Sequence, residues 1–236
     1  MRASQSLIKR IAQSAVGSGF RGVGKFSTGS ISYSKADQTG NAARDQAGPG
    51  ISESTTHFGF TTVQENMKEK LVAKVFSGVA SKYDLMNDAM SAGIHRLWKD
   101  YFIRKMAPQP GTKLIDVAGG TGDIAYRFLN YTSNICNDNT STVHLVDINA
   151  DMLGEGQKRF ENTHWMKNNQ IKFNVGNGED LNFIEDNTYD AYTISFGIRN
   201  CTHVDRVVKE AYRVLKPGGV FMCLEFSKVN YPVLSE

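Results

Sequence analysis

At 236 residues, with 40% apolar and 22% charged side chains, the chain has the size and composition of one sizeable α/β domain with an appendage. No apolar run approaches the roughly 18–20 residues that a bilayer-crossing helix needs, which excludes a helical spanning segment. The net charge of +3 is carried by the leader, where Arg2, Lys9, Arg10, Arg21, Lys25 and Lys35 meet no acid before Asp37; beyond it 21 basic residues face 24 acidic ones, giving no electrostatic case for binding nucleic acid.

The leader is Ser-rich and acid-free. Leu7, Ile8, Ile11 and Ala15 can share one helical face, with Lys9 and Arg10 off it. That is the pattern of a mitochondrial transit peptide, whereas a secretory signal would carry a longer apolar core. Residues 1–33 are therefore expected to be a transit peptide, with cleavage near Phe26–Ser34; a plain unstructured tail is the alternative. Residues 34–60, rich in Ser, Gly, Asn and Gln, read as a flexible linker. Cys136, Cys201 and Cys223 form no CxxC pair and no zinc spacing, so no metal site is expected. So sparse a set suits a reducing compartment such as the mitochondrial matrix.

Residues 61–110 read as a helical lid. From about residue 62, Val63, Met67, Leu71, Val75 and Val79 recur at helical spacing, and a second helix over 93–106 would put Leu97, Trp98, Phe102 and Met106 on one face. "APQPG" (107–111) closes this front end. From residue 111 to 236 strands and helices alternate. "KLIDVA", "TVHLVDIN" (142–149), "IKFNVG" (171–176), "YDAYTISFGI" (189–198) and "VFMCLEFS" (220–227) read as strands. Helices are expected over 121–132, 150–162 and 203–215, with "KPGG" as a turn before the last strand. Such alternation implies βαβ units, a mostly parallel sheet and helices on both faces.

At the end of the first of these strands stands "DVAGGTGD" (116–123), with Gly119, Gly120 and Gly122 around Thr121. In doubly wound sheets ligands sit at the carboxyl ends of the strands, and an acid ending the second strand, here Asp147, accepts from a ribose diol. Two cofactors use this arrangement. A nicotinamide dinucleotide needs its pyrophosphate at the helix N-terminus, where Asp123 would place a carboxylate. S-adenosylmethionine, which is cationic and carries no phosphate, suits an acid there better. Asn177 and Gly178 are candidates for the adenine edge, although Asn-Gly is also a common turn. Ser195, Arg199 and Asn200 come at the mouth of the cleft, although Arg199 also reads as a solvated charge.

Five segments, "YDLMNDAMSAGIHRLWK" (83–99), "DVAGGTGD" (116–123), "VDINADML" (146–153), "ISFGIRN" (194–200) and "YRVLKPGGVFMCLEFSK" (212–228), resemble the ubiquinone/menaquinone biosynthesis C-methyltransferases over roughly residues 60–230. The resemblance implies a class I S-adenosylmethionine-dependent methyltransferase fold, Rossmann-like, methylating a ring carbon of a polyprenyl methoxy-benzoquinol in ubiquinone synthesis. It implies cofactor contacts at Thr121, Asp147, Asn177 and Ser195, with the neighbouring Gly119, Gly120, Gly122 and Gly178. Gly178 stands where the bacterial pattern has alanine, a change expected to alter packing only slightly. Arg199 would stabilise a phenolate, Asn200 would orient the ring oxygen, and Tyr83, Asp84, Asn87 and His95 are substrate-side candidates. His95 reads either as a general base or as a capping or core histidine. Expected partners are other enzymes of the ubiquinone-synthesis complex, with peripheral attachment at the matrix face of the inner membrane and a possible homodimer. The sequence ends at "NYPVLSE", so the last two strands of that fold are expected to be missing. A catalytically weak scaffold is therefore the alternative function, and a nicotinamide-dependent reductase a further one.

Overall fold

The computed structural model describes residues 55–58 and 61–226. The transit-peptide reading, most of the linker and the segment from 227 onward lie outside the described residues.

The front begins as an antiparallel pair, β1 (Thr55–Phe58) and β2 (Thr61–Gln64). The expected linker thus ends in a strand, and the helix expected from about 62 begins three residues later, as α1 (Glu65–Val79). α2 (Tyr83–Ser91) and α3 (Ile94–Met106) follow, hinged at left-handed Ala92 and Gly93. The apolar stripe read along α1 does not face inward: Met67 and Val75 are exposed, while Lys68 and Val72 are buried. In α3 the same offset appears. Leu97 is exposed, and the inner face is His95, Lys99, Phe102, Ile103 and Met106. Two polar residues hold positions that a helical period assigns to apolar ones, because each meets an acid from a neighbouring element.

The core is a five-stranded, all-parallel sheet in the order β5-β4-β3-β6-β7, built from β3 (Lys113–Val117), β4 (Thr142–Asp147), β5 (Ile171–Val175), β6 (Tyr189–Ser195) and β7 (Leu215–Leu224). β3 and β4 read as near-continuous apolar runs because helices cover both of their faces. On one face α4 (Asp123–Asn134) and α3 bury Phe128, Leu129, Phe102 and Ile103 with Phe160 at the end of α5 (Ala150–Phe160) and Trp165 of α6 (His164–Lys167). On the other, α7 (Val204–Val214) buries Val207, Ala211 and Val214 against Ile115, Leu181 and Tyr192. "KPGG" is not a turn ahead of the last strand but an irregularity within it. Leu215 pairs with Tyr189, and the register resumes at Val220 opposite Ala191.

The chain runs outward from β3 through β4 to β5, then returns to place β6 on the other side of β3. This reversal opens a crevice at the carboxyl ends of β3 and β6, where doubly wound folds bind ligands.

Candidate functional site

The crevice is lined by the loop from Ala118 to Thr121, the ends of β4 to β6, and α1 above them. Ala118 turns the chain out of β3 at φ 52°. Gly119 then comes so close to the sheet that a Cβ there would lie 2.8 Å from Asp116 Oδ2 and 2.9 Å from Leu145 Cγ. Only glycine lets the backbone sit this low.

The loop is fastened to β4. Gly120 N–H donates to Asp147 Oδ2 at 2.8 Å, and Asn149 N–H donates to Asp147 Oδ1 at 2.8 Å. Burial raises the Asp147 pKa, and these backbone N–H groups pull it back. Asn149 caps α5 through its side-chain oxygen, at 2.9 Å from Asp151 N and 3.1 Å from Met152 N. Its amide reaches upward to Ala73 O and Ser77 Oγ of α1, both at 3.0 Å. At the other side of the cleft Lys68 Nζ donates to Cys201 O at 2.7 Å. α1 is therefore pinned across the crevice from both rims, with Val72, Ala73 and Phe76 lining it.

Asp116 is fully buried; Oδ1 accepts from Thr193 Oγ1 at 2.8 Å, and Oδ2 has no partner among the described residues. Burial pushes its carboxyl up to about 7. Asp123, the acid that the sequence reading set at the phosphate end, is already bonded. It accepts from Lys99 Nζ at 2.8 Å and from Arg127 Nε at 3.1 Å, because α3 and α4 close around its helix terminus. Although burial alone would raise its pKa, those two cations leave it lowered.

Ser195 and Asn200 line the cleft, and Ser195 Oγ is buried without a partner among the described residues. Asn177 and Gly178 line it too. The Asn177 side chain accepts from Glu179 N–H at 2.9 Å, as a turn requires. Glu179 in turn accepts from the N–H of Thr202 at 2.5 Å and of His203 at 3.1 Å, tying the β5 and β6 ends together. Thr121 is buried and donates to Asp84 Oδ1 at 3.1 Å, and Asp84 is ion-paired with Arg159.

The remaining candidates separate. Tyr83 lines the cleft; burial raises its pKa, and a hydrogen bond from Asn87 and the nearby Arg199 charge partly offset this. His95 points away from the cleft, into a neighbouring groove. Its Nε2 lies 2.8 Å from Asp88 Oδ1, and Arg96 Nη2 lies 2.5 Å from Oδ2 of the same acid. This clamp joins α2 to α3 around the buried His95 ring. Arg199 is half-exposed beside the rim, 2.7 Å from Glu225 Oε1 and with its guanidinium 5.1 Å from the Phe226 ring centre. Lys68, Lys99, Asn149, Glu179 and Glu225 escaped the sequence reading. For Lys99 a signal existed, a lysine four residues after His95 on what is otherwise the apolar face of α3.

Residues 64–236 match the model of the ubiE/COQ5 methyltransferase family. The chain is 49% identical over 221 residues to a mitochondrial 2-methoxy-6-polyprenyl-1,4-benzoquinol methylase of Schizosaccharomyces pombe, covering 92% of this chain and 72% of that one. Proteins of the same name from Dictyostelium discoideum and Drosophila melanogaster are 52% and 51% identical, over 76% and 75% of this chain. The chain spans 63% and 61% of those two relatives' own lengths.

Proposed function

The chain belongs to the ubiE/COQ5 methyltransferase family, and from that premise we propose that it transfers a methyl group from S-adenosylmethionine to a ring carbon of a polyprenyl methoxy-benzoquinol in ubiquinone synthesis. The relatives named for that activity support the substrate class, and their mitochondrial naming supports a matrix location. Among the described residues no helix is long and apolar enough to cross a membrane, so attachment to the inner membrane would be peripheral. The basic, acid-free leader is the matrix-targeting segment in this reading, followed by the linker, the helical lid and the Rossmann-like, class I core.

The cleft fits this cofactor. It has a carboxylate at the end of β4 for a ribose diol, and a glycine loop lying low enough for a ligand to rest on bare backbone. It also holds a buried hydroxyl, Ser195 Oγ, with no partner of its own. Asp147, Gly119, Gly120 and Thr121 would hold the ribose side and Asn177 and Gly178 the adenine side, with Ser195 across the cleft at the end of β6. Gly122, whose N–H is bound to Gly119 O, shapes the loop from behind. Bound there, S-adenosylmethionine supplies a sulfonium-activated methyl group. The protein's own part is to favour the hydroquinone's phenolate, which places charge on the ortho carbon, and to hold that carbon in reach. Arg199 stabilises the phenolate, directly or through a water, and Asn200 orients the ring oxygen. Glu225 aims the Arg199 side chain, and α1 keeps water from the reacting atoms.

The observation that carries this reading is the Gly120–Asp147 junction under a pinned lid in a chain of this family. Calorimetric titration with S-adenosylhomocysteine, followed by methyl transfer to a short-tailed methoxy-benzoquinol kept reduced, tests it. Micromolar binding and labelled product are expected. Binding without any product on the quinol would overturn the substrate assignment, and no binding would overturn the cofactor assignment.

A further inference from the structure

Lys99 is a lysine with 5% of its surface exposed, and lysines are almost never so buried unless paired. Its ammonium has three donors, yet among the described residues the structure gives it one partner, Asp123 Oδ2. Asp123 is also bound by Arg127 Nε. Arg127 is also ion-paired with Asp100, so the charges balance here, while two donors of the Lys99 ammonium are left without a partner among the described residues. Lys99 lines the same cleft as the glycine loop, three residues beyond the Gly120–Asp147 junction in its contact with Asp123, and its charge reaches buried Asp116. A buried ammonium with donors left unmet at the wall of a cleft is costly unless something arrives to meet them.

We propose that Lys99 binds the α-carboxylate at the amino-acid end of the cofactor. The inference rests on the cofactor reading above and adds to it a residue and a selectivity. In that reading Asp147 takes the ribose and Asn177–Gly178 the adenine, so the amino-acid end falls toward α3 and α4. The Lys99 ammonium is the buried cation there, and a charge-assisted bond to a carboxylate is its natural complement. The site therefore distinguishes a zwitterionic adenosyl amino acid from a nucleoside that lacks the amino-acid tail.

A purely structural strap between α3 and α4 is the competing role, and affinity measurements separate the two. Binding of S-adenosylhomocysteine and of 5′-methylthioadenosine, which has no amino acid, is measured for the unaltered chain, Lys99→Met and Lys99→Arg. Lys99→Met should weaken S-adenosylhomocysteine about ten- to hundredfold, the loss expected for one hydrogen bond to a charged group, and leave 5′-methylthioadenosine unchanged. Lys99→Arg, which keeps the charge, should recover most of the loss. An equal loss for both compounds with no recovery in the arginine variant would mean a strap and overturn the proposal, as would no loss at all. Should Lys99→Met bind neither compound, the arginine variant decides: selective retention of S-adenosylhomocysteine supports the proposal and its absence overturns it. If the unaltered chain binds neither, the cofactor reading itself falls, and this inference with it.

Discussion

The backbone N–H of Gly120 donates to Asp147 Oδ2 at 2.8 Å, so the glycine loop of one strand and the terminal acid of the next form a single unit. Replacing Asp147 with Asn puts an amide donor toward one of two backbone donors, Gly120 N–H or Asn149 N–H. One of these must lose its acceptor in a buried place. Asp147→Asn should therefore weaken S-adenosylhomocysteine about ten- to hundredfold and lower the melting temperature. Unchanged affinity by calorimetry would show that this carboxylate does not meet the ligand.

Arg199 stands outside the cofactor cleft, held by Glu225 Oε1 at 2.7 Å and by the Phe226 ring. Arg199→Ala should lower turnover on the quinol by a hundredfold or so, in the range of a lost electrostatic contact to a developing charge, with little change in cofactor affinity. Glu225→Gln should lower turnover less, since the arginine remains but is less firmly aimed. If Arg199→Ala abolishes S-adenosylhomocysteine binding instead, the residue supports the cleft and not the chemistry.

How much of this was legible is best seen on α3. Its existence and extent were readable, since Ile94–Met106 falls within one residue of the expected span. Its inward face was not, because hydropathy counts His95 and Lys99 as outward and neither Asp88 nor Asp123 can be assigned as a partner from spacing along the chain. The parallel core was plain, because buried strands such as β3 and β4 are written as apolar runs with glycine or acid at their ends. Asp116, Asp147 and the glycines could be placed on strand ends for the same reason. The lid could be named but not docked. Lys68 reaches Cys201 across 133 residues of sequence, and no local pattern encodes such a contact.

That contact is itself testable. Lys68 and Asn149 pin the two sides of α1. Lys68→Met keeps the buried stem but removes the bond to Cys201 O, worth about 1.5–3 kcal/mol for a charged donor. Amide hydrogen exchange in residues 65–79 should quicken, while β3 and β4 stay protected. S-adenosylhomocysteine should also dissociate faster. Uniform quickening across the whole chain would show a global loss of stability and not a released lid.

Gly178 stands where the bacterial pattern has alanine, and a Cβ added there in this chain would lie 2.7 Å from Val117 Cγ1. Val117 is buried in a strand covered on both faces, so it has little room to withdraw. Gly178→Ala should lower stability by about 1–3 kcal/mol, the usual cost of overpacking. Val117→Ala alone should also destabilise, by leaving a void. In the double variant the two should compensate, giving a coupling of opposite sign to the single effects. Simple additivity in urea midpoints would mean that the loop moves as a whole and the contact never forms.

Between about pH 4 and 7 two buried groups, Asp116 and His144, should contribute opposing pH dependences of stability. Burial pushes Asp116 up to about 7, so the folded chain holds a proton there that the unfolded chain has released. Stability from this group therefore falls as pH rises from the ordinary carboxylate range toward about 7, and is flat above. His144 lies buried between Tyr189 Oη, 2.5 Å from Nδ1, and Asn174 Oδ1, 2.9 Å from Nε2. Burial lowers its pKa from 6.5 to about 4, so the unfolded chain takes up the proton first and stability rises with pH across that interval. Over the shared window the two slopes cancel, each about 1.4 kcal/mol per pH unit at most. Asp116→Asn removes the falling slope that this carboxyl contributes and leaves the His144 slope in place. The variant should gain stability between about pH 4 and 6.5, where the unaltered chain changes little, as read from urea midpoints at fixed salt. Parallel curves for the two proteins would show that Asp116 is ionised throughout and that its burial is compensated by charges such as Lys99.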